Sequence, residues 1–594
     1  MQGYRAPLQD MQFLLYDVLK ADQVWQDIPA FSEQIDRDTA DAMLNEAARI
    51  TSECIAPLNR SGDEEGARWE DGRVTTPKGF PEAYRVFSEG GWAGLTGNPQ
   101  YGGLGMPKSF SVLVDEMLYA ANSAFALYPC LSTGAALCID AHASDSLRER
   151  FLPKLYAGEW AGTMCLTEPH AGSDLGLIRT RAVPNDDGSY DITGTKIFIT
   201  GGDQDLTDNV VHLVLAKLPD APEGSRGISL FLVPKLQVND DGSAGQPNGV
   251  SCGSIEHKMG IKGSATCVMN FDNARGFLVG EVNRGLQCMF TMMNCERLSI
   301  GIQGTGCADM SYQNAVAYSR ERLQGKGQPQ SQGADPIIVH PDVRRMLLTM
   351  KSTIEAGRAL AVYLGMQLDQ SYYGQSDEIR SKASALVGLL TPVAKAFFTD
   401  LGLENTIHGQ QVFGGHGYVR EWGQEQLVRD VRIAQIYEGT NGIQALDLLQ
   451  RKVFANRGES LGVFFADVRN ELERLSGPEY AELGEYRSIL ARLLDDMESL
   501  TSDIISRGEL SPLNIAAAAT EYLHLLGYTV YGYLWLRMMA AALPAKTHNP
   551  AFAEAKLATG KFFFYRVLTR TDSLIASLKR PDVEDYMALD AASF

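Results

Sequence analysis

Several features that would point to common protein classes are missing from this sequence of 594 residues. Its nine cysteines form no CxxC pair, which disfavours a zinc ribbon or a disulfide framework and favours a reducing compartment. Without a run of 18 uninterrupted apolar residues, no transmembrane helix is predicted, and the N-terminus lacks the features of a signal peptide. No GxGxxG follows a predicted strand and no GxxxxGK[ST] occurs, which argues against a nicotinamide dehydrogenase and a P-loop enzyme.

The chain also has fewer basic residues than acidic residues. The chain has 53 Lys and Arg against 73 Asp and Glu, a net charge of −20. A nucleic-acid partner and an anionic membrane surface are therefore disfavoured. Hydrophobic residues at 45% and charged residues at 21% are typical of a globular protein rather than a disordered or fibrous one. We expect a cytoplasmic protein of two to four domains with no metal site.

The period of the apolar residues changes along the chain. A helical period is followed by runs of β-branched residues separated by turn clusters, and the helical period then returns. This order predicts an α+β multidomain protein and not the strand–helix alternation of a Rossmann sheet. The expected parts are a leader at 1–36, an N-terminal helical domain at 37–160, a middle β-barrel or β-sandwich at 161–280, a C-terminal helical bundle at 281–455 and an additional helical domain at 460–594.

Two segments of the predicted β-domain could bind a ligand. In CLTEPHAGSD at 165–174, Thr167 and Ser173 offer hydroxyls and Gly172 lets a ligand approach the backbone, although an ordinary turn fits equally well. In GTKIFITGG at 194–202, Phe198 and Thr200 fall on one strand face and could stack on and hydrogen-bond a flat cofactor. A core Phe beside a turn is the favoured reading when that segment is taken alone.

Two further segments lie in the second helical part. QVFGGHG at 411–417 has three glycines in four residues, more than a helix C-cap explains. QIYEGTNG at 435–442 places Glu438 in an apolar-flanked turn, where a carboxylate can have a raised pKa and act as a base. A surface Glu at a helix start is the simpler reading of the last segment by itself.

Together, in this order, the four motifs strongly resemble those of the acyl-CoA dehydrogenase flavoproteins, over about residues 37–455. The ends of the chain look like those of the long bacterial members of about 600 residues, a branch with fatty-acyl-CoA and 3-methylmercaptopropionyl-CoA dehydrogenases. The resemblance implies FAD as cofactor and dehydrogenation of an acyl-CoA to the trans-2-enoyl-CoA in fatty-acid β-oxidation. Glu438 would take the α-proton while flavin N5 takes the β-hydride.

The resemblance also implies a set of binding residues. Glu296 occupies the alternative position, on an earlier helix, from which some members supply the base. Substrate contacts are expected from Ser173, Arg297 and Gly439. Arg322 and the Gln411–Gly415 loop would come from a neighbouring subunit. The implied FAD contacts are Met164, Leu166, Thr167, Ser173, Phe198, Thr200, Arg322, Gln411, Gly414, Gly415, Thr440 and Asn441.

Three positions depart from the family pattern: Phe198 where Trp is usual, His170 where Gly is usual, and Gln426 where Lys or Arg is usual. We expect an electron-transfer flavoprotein as electron acceptor and a homodimer, with a tetramer as the alternative. A 3-methylmercaptopropionyl-CoA dehydrogenase and an acyl-CoA oxidase would share these residues. A non-catalytic acyl-CoA-binding scaffold is disfavoured because Glu438 and the flavin motifs are retained.

Overall fold

The N-terminal helical part precedes a small sheet domain. In this computed structural model the described residues are 3–239, 241–327, 332–581 and 583–594, without the side chain of Glu584, so residues 1 and 2 of the predicted leader lie outside them. The helices here are α1 Leu8–Gln12, α2 Ala21–Asp27, α3 Pro29–Ser32, α4 Arg37–Ile50, α5 Leu58–Glu65, α6 Phe80–Glu89, α7 Lys108–His142 and α8 Asp145–Tyr156, with a short hairpin of β1 Arg68–Glu70 and β2 Arg73–Thr75.

Residues 3–36 pack into the helical body. Met11 and Trp25 are fully buried. Asp10, itself buried, forms ion pairs with Arg358 and Lys556, which lie far along the chain. The burial of this segment depends on these distant partners. Asp36 caps α4, accepting a hydrogen bond from the N–H of Thr39 at 2.8 Å.

The middle domain is a barrel-like mixed sheet. Its strands are β3 Trp160–Cys165, β4 Arg181–Pro184, β5 Tyr190–Thr200, β6 Asn209–Lys217, β7 Ile228–Pro234, β10 Val250–Ile255 and β11 Thr266–Val279, and a separate pair is formed by β8 Leu236–Val238 and β9 Ala244–Pro247. The order is β10-β11-β5-β4-β6-β3, and β7 pairs with both β6 and β11, which closes a ring of five strands. The β3–β6 pair is parallel, so the barrel is not purely antiparallel.

The remaining helices form the bundle and its C-terminal extension. They are α9 Gly285–Glu321, α10 Pro341–Tyr373, α11 Asp377–Val412, α12 Gln424–Arg432 and α13 Asn441–Leu446, then α14 Glu459–Arg474, α15 Gly484–Leu510, α16 Pro512–Ala545, α17 Pro550–Phe562, α18 Arg570–Leu578 and α19 Val583–Met587. The extension packs directly on the bundle: Trp535 of α16 is buried and its indole N–H donates to the Ser352 carbonyl of α10 at 2.9 Å.

Two helices are long and apolar enough to cross a membrane by length and composition alone, namely α7 and α11. Their most apolar windows are 72% and 78% buried inside the protein. Such burial is what core helices of a large helical domain require, because they are apolar on nearly every face. Both helices pack against α9, which carries Glu296, and Lys395 of α11 contacts the loop of the predicted base.

Candidate active site

Hydrogen bonds and an ion pair hold the turn after β3 on its buried side. Glu168 and Ala171 exchange backbone hydrogen bonds of 3.0 Å. The Glu168 carboxylate, only 4% exposed, accepts hydrogen bonds from the N–H of Arg179 at 2.7 Å and of Thr180 at 3.0 Å, and forms a 2.9 Å ion pair with Lys196 of β5. Burial alone would raise the pKa of Glu168, yet Lys196 and these hydrogen bonds hold that pKa below its ordinary value. The buried pair therefore fixes the turn.

The outer side of the same turn is open. Met164, Leu166 and Thr167 are partly exposed and Ser173 is exposed. Phe198 lies beside them, because the N–H of Ile197 donates to the Thr167 carbonyl at 2.9 Å. The Phe198 side chain is 59% exposed and its backbone has φ of +60°, a conformation that a bulky residue adopts only when its surroundings impose it. An exposed ring beside free hydroxyl and backbone groups fits a flat flavin ring with a polar edge.

Two of the departures from the family pattern are accommodated locally. His170 Nε2 bonds the Leu177 carbonyl at 3.1 Å and lies 3.5 Å from Glu168, so it is tied to the turn. Gln426 of α12 donates to the Asn59 side chain at 3.0 Å and to Asp430 at 3.0 Å. Gln426 therefore braces α12 against the N-terminal domain, and neither departure disturbs the turn.

Glu438 lies in a short loop that enters α13. Its φ of +55° places it in the left-handed region, where a non-glycine residue is strained. Gln444 donates to the Glu438 carbonyl at 3.2 Å, and Lys395 of α11 donates to the Gly439 carbonyl at 2.7 Å. Burial raises the pKa of Glu438 to about 7, against a smaller opposing effect of Arg297 and Lys395. The carboxyl can thus change its protonation state near neutral pH.

Glu296 of α9 shares the electrostatic environment of Glu438. It is fully buried, and its burial, followed by the charge of Glu438, raises its pKa to about 8. The Cys130 thiol of α7 donates to one carboxyl oxygen at 3.0 Å, and the other oxygen has no hydrogen-bond partner among the residues that the structure describes. Gly134 makes room for that oxygen, since a Cβ there would lie 2.3 Å from it. The pKa is raised for both Glu296 and Glu438, whereas the sequence pattern indicated a raised pKa for Glu438 alone.

A narrow cavity between α7 and α9 adjoins Glu296. A continuous row of polar groups crosses it: Cys130 bonds Ser299 at 3.0 Å and Ser299 bonds the Tyr119 hydroxyl at 3.1 Å. Lys108 and Asp115, which form a 2.9 Å ion pair, also line it. Apolar side chains line the same cavity, namely Phe87, Trp92, Leu95, Val114 and Leu118, so its walls are mixed in polarity.

The remaining predicted contacts are split between two regions. Arg322 follows the end of α9, about 39 Å along the helix from Glu296 at 1.5 Å per residue. The ends of α9 and α11 meet where Tyr318 stacks on Phe413 at 4.2 Å, so Arg322 is on the same side as Gln411, Gly414 and Gly415. All four are exposed. One chain therefore does not bring them to Glu438.

Three predicted residues near Glu438 have distinct surroundings. Thr440 caps α13, accepting from the N–H of Ile443 at 3.3 Å. The Asn441 side chain points inward and is fully used: it accepts from Lys395 at 2.9 Å and donates to Thr399 at 2.9 Å and Asp400 at 2.7 Å. The FAD contacts predicted for Thr440 and Asn441 stay predictions. Arg297 is near Asp447 at 3.9 Å, and its buried Nε has no partner among the described residues.

Sequence reasoning missed four residues that shape the site: Glu168 and Lys196 under the flavin turn, and Lys395 and Asp400 under the Glu438 loop. Lys395 carried a visible signal, because a single Lys interrupts the apolar run TPVAKAFF at 391–398. A buried Lys is rare unless it is paired. Which carboxylates or carbonyls it meets could not be known without the fold.

Comparisons with known proteins agree with this arrangement. Four family models match in order: acyl-CoA dehydrogenase N-terminal domain at 37–159, middle domain at 163–274, C-terminal domain at 283–453, and "Acetyl-CoA dehydrogenase C-terminal like" at 464–590. The 3-methylmercaptopropionyl-CoA dehydrogenase of Ruegeria pomeroyi is 43% identical over 95% of this chain and 96% of its own length. A broad-specificity linear acyl-CoA dehydrogenase of Mycobacterium tuberculosis is 32% identical over the full length of both chains.

Solved structures share the fold. A Bacillus anthracis acyl-CoA dehydrogenase in complex with FAD has a TM-score of 0.73 at 20% identity, covering 95% of this chain and 92% of that one. The butyryl-CoA dehydrogenase of Megasphaera elsdenii has a TM-score of 0.57 at 27% identity, covering 69% of this chain and 96% of that one.

The order of helical, barrel and helical domains, matched by the family models, defines an FAD-dependent oxidoreductase. The chain belongs to the acyl-CoA dehydrogenase family, in its form of about 600 residues with the additional C-terminal helical part. The predicted fold class, family and FAD cofactor are thereby confirmed.

Proposed function

We propose that this protein removes one hydrogen from Cα and one from Cβ of an acyl-CoA thioester, giving the trans-2-enoyl-CoA, and that Glu438 is the base. The carrying observation is Glu438 itself: its backbone is in the left-handed region, its pKa is raised to about 7, and its charge acts on the buried Glu296. A general base is most effective when its pKa lies near the working pH. Bound FAD supplies the acceptor for the β-hydride.

The chain's own groups account for the proton side of this reaction. The Glu438 carboxylate accepts the α-proton, and burial of the acyl group excludes water and strengthens the electrostatic interactions around the base. Lys395 holds the Gly439 carbonyl, and the backbone N–H of Glu438 would polarise the thioester carbonyl and stabilise the negative charge that develops there. Glu296, with its higher pKa, stays protonated while Glu438 ionises, which avoids two adjacent negative charges.

The same proposal assigns the FAD contacts. Met164, Leu166, Thr167, Phe198 and Thr200 would hold the ring system, with Ser173 at the phosphates or the CoA arm. Arg322 lies about 39 Å along α9 from Glu296 and at the same end of the bundle as Gln411, Gly414 and Gly415, so all four would come from a second copy of the chain. The assembly we propose is a homodimer, with a tetramer as the alternative. Nine free thiols support a reducing, cytoplasmic location.

Two kinds of acyl-CoA are candidates for the substrate. A linear acyl-CoA is supported by the relative named as a broad-specificity linear acyl-CoA dehydrogenase, and we include fatty-acid β-oxidation and an electron-transfer flavoprotein as acceptor in this proposal. 3-Methylmercaptopropionyl-CoA is supported by the relative at 43% identity. Oxygen as acceptor, as in an acyl-CoA oxidase, would make reduced flavin reoxidise rapidly in air.

The deciding experiment is an anaerobic titration of the FAD-loaded protein with butyryl-, octanoyl-, palmitoyl- and 3-methylmercaptopropionyl-CoA, followed by flavin absorbance. Bleaching by one thioester in the wild type and in Glu296→Gln, but not in Glu438→Gln, is the expected result and identifies the substrate. Bleaching that survives Glu438→Gln and disappears in Glu296→Gln would transfer the base to α9. Binding of acyl-CoA without any bleaching would favour a binding scaffold and reject the dehydrogenase proposal.

A further inference from the structure

Asp400 of α11 lies beneath the Glu438 loop and binds both of its ends. One carboxylate oxygen accepts a hydrogen bond from the Gln435 side chain at 2.6 Å and another from the Asn441 side chain at 2.7 Å. Gln435 is three residues before Glu438 and Asn441 is three residues after it. One carboxylate oxygen of Asp400 therefore binds a residue on each side of Glu438 in the loop.

The second oxygen of Asp400 is held from a different part of the protein. His524 Nε2, on α16 of the C-terminal extension, lies 2.8 Å from it. The His524 ring stands edge-on to Phe397, with ring centroids 5.5 Å apart, so its orientation is defined. Burial by itself would raise the pKa of Asp400, but the hydrogen bonds from His524, Gln435 and Asn441 keep that pKa below its ordinary value. Asp400 is therefore an ionised acceptor for all three donors.

Lys395 completes the attachment one turn earlier on α11. Its ammonium group donates to the Gly439 carbonyl at 2.7 Å and to the Asn441 side-chain oxygen at 2.9 Å. The Asn441 amide is bonded in addition to Thr399 at 2.9 Å. In this set of polar contacts Lys395, Thr399 and Asp400 all belong to α11, whereas His524 comes from the C-terminal extension.

We propose that His524 is a positioning residue for the Glu438 base: it holds Asp400, and through Gln435 and Asn441 it fixes the loop that presents the carboxyl to the substrate. The C-terminal extension thus contributes to the reaction geometry as well as to the hydrophobic core. This inference rests on the proposed function of Glu438. A base displaced by a fraction of an ångström loses rate because the reacting atoms leave the near-attack arrangement.

A matched control exists on the same two elements of the fold. Arg570, from α18 of the C-terminal extension, binds Glu404 of α11 at 2.6 Å. This pair also joins the extension to α11, one helical turn beyond Asp400, and contacts no residue of the Glu438 loop among those described. Comparing His524→Leu with Arg570→Leu separates an effect on the loop from a general weakening of the interface.

The first test uses the FAD-loaded full-length enzyme and the best thioester found above. His524→Leu is expected to lower kcat about tenfold with KM changed less than about twofold, and His524→Gln, which keeps an N–H near the same place, is expected to recover most of the loss. Arg570→Leu should leave kcat within about twofold. Equal loss of kcat in both leucine variants, or no loss in His524→Leu, would overturn the proposal.

The second test does not depend on activity. Amide hydrogen exchange of the peptide spanning 435–441 should become faster in His524→Leu and stay unchanged in His524→Gln and Arg570→Leu. Unchanged exchange in His524→Leu would refute the attachment. If the wild type oxidises no acyl-CoA while exchange responds as expected, the proposed function fails and the attachment of the loop stands. If His524→Leu does not fold, His524→Asn, whose amide is one methylene too short, replaces it in both tests.

Discussion

The rate of α-proton removal should follow the ionisation of Glu438. With a pKa of about 7, the carboxyl is about one-tenth ionised at pH 6 and about nine-tenths ionised at pH 8. The second-order rate of flavin reduction at limiting acyl-CoA reports groups of the free enzyme, so it should rise about tenfold between these pH values. A Glu at its ordinary value of 4.5 would be almost fully ionised throughout and would give a nearly flat profile.

Glu296→Gln is the matched control for this prediction. Glu296, with a pKa of about 8, is still protonated when Glu438 loses its proton. A neutral amide of the same size should therefore move the acid limb by less than about half a pH unit. The assay is anaerobic stopped-flow absorbance of the flavin from pH 5.5 to 9, with wild type and Glu296→Gln in parallel.

Two results would contradict the reasoning. A wild-type profile that is flat between pH 6 and pH 8 would show that Glu438 is an ordinary exposed carboxyl or that another step limits the rate. An acid limb that moves down by a full unit in Glu296→Gln would show that Glu296 is ionised first. In that case the order of the two pKa values, and with it the choice of base, would have to be reversed.

Three further predictions follow from the buried charges. The folded pKa of Glu296 lies above its unfolded value of 4.5, so ionising Glu296 destabilises the folded state from about pH 4.5 upwards, and the effect grows up to about pH 8. Glu296→Gln should therefore raise the thermal midpoint at pH 8 by an amount equivalent to about 1–3 kcal/mol. At pH 5 the increase should be much smaller. Lys196→Met leaves the Glu168 carboxylate buried without its cation and should cost about 3–5 kcal/mol, seen as a lower midpoint and a lower FAD content after purification. Arg358→Met removes the partner of Asp10 and Glu116 and should make the first 36 residues the earliest site of limited proteolysis; cleavage elsewhere first would contradict that role.

The predictions that succeeded from sequence concern local patterns. The helical, β and helical order predicted from the apolar period is the order in the structure, because alternation and turn residues act over a few neighbours. The cap of α4 by Asp36 is a contact of the same local kind. Glu438 is in a loop before a new helix, as its flanking residues indicated. The individual roles of the proposed site residues stay predictions, to be decided by the variants above.

The burial of residues 3–36 depends on partners far along the chain. Asp10 pairs with Arg358 and Lys556, and no periodicity within a short segment could reveal that. The contacts of the Asn441 side chain have the same origin, since they join it to Lys395 and Asp400 of α11.

The sequence by itself determined the order of helical and β domains, the family and the cofactor, because these depend on short motifs and on periodicity along the chain. Only the tertiary structure decided which charges meet. It brought Glu296 into the environment of Glu438, paired Glu168 with Lys196, and placed His524 against Asp400. The physical reason is that burial and Coulomb interactions depend on distance in space, and residues far apart in the chain become neighbours only when the helices pack.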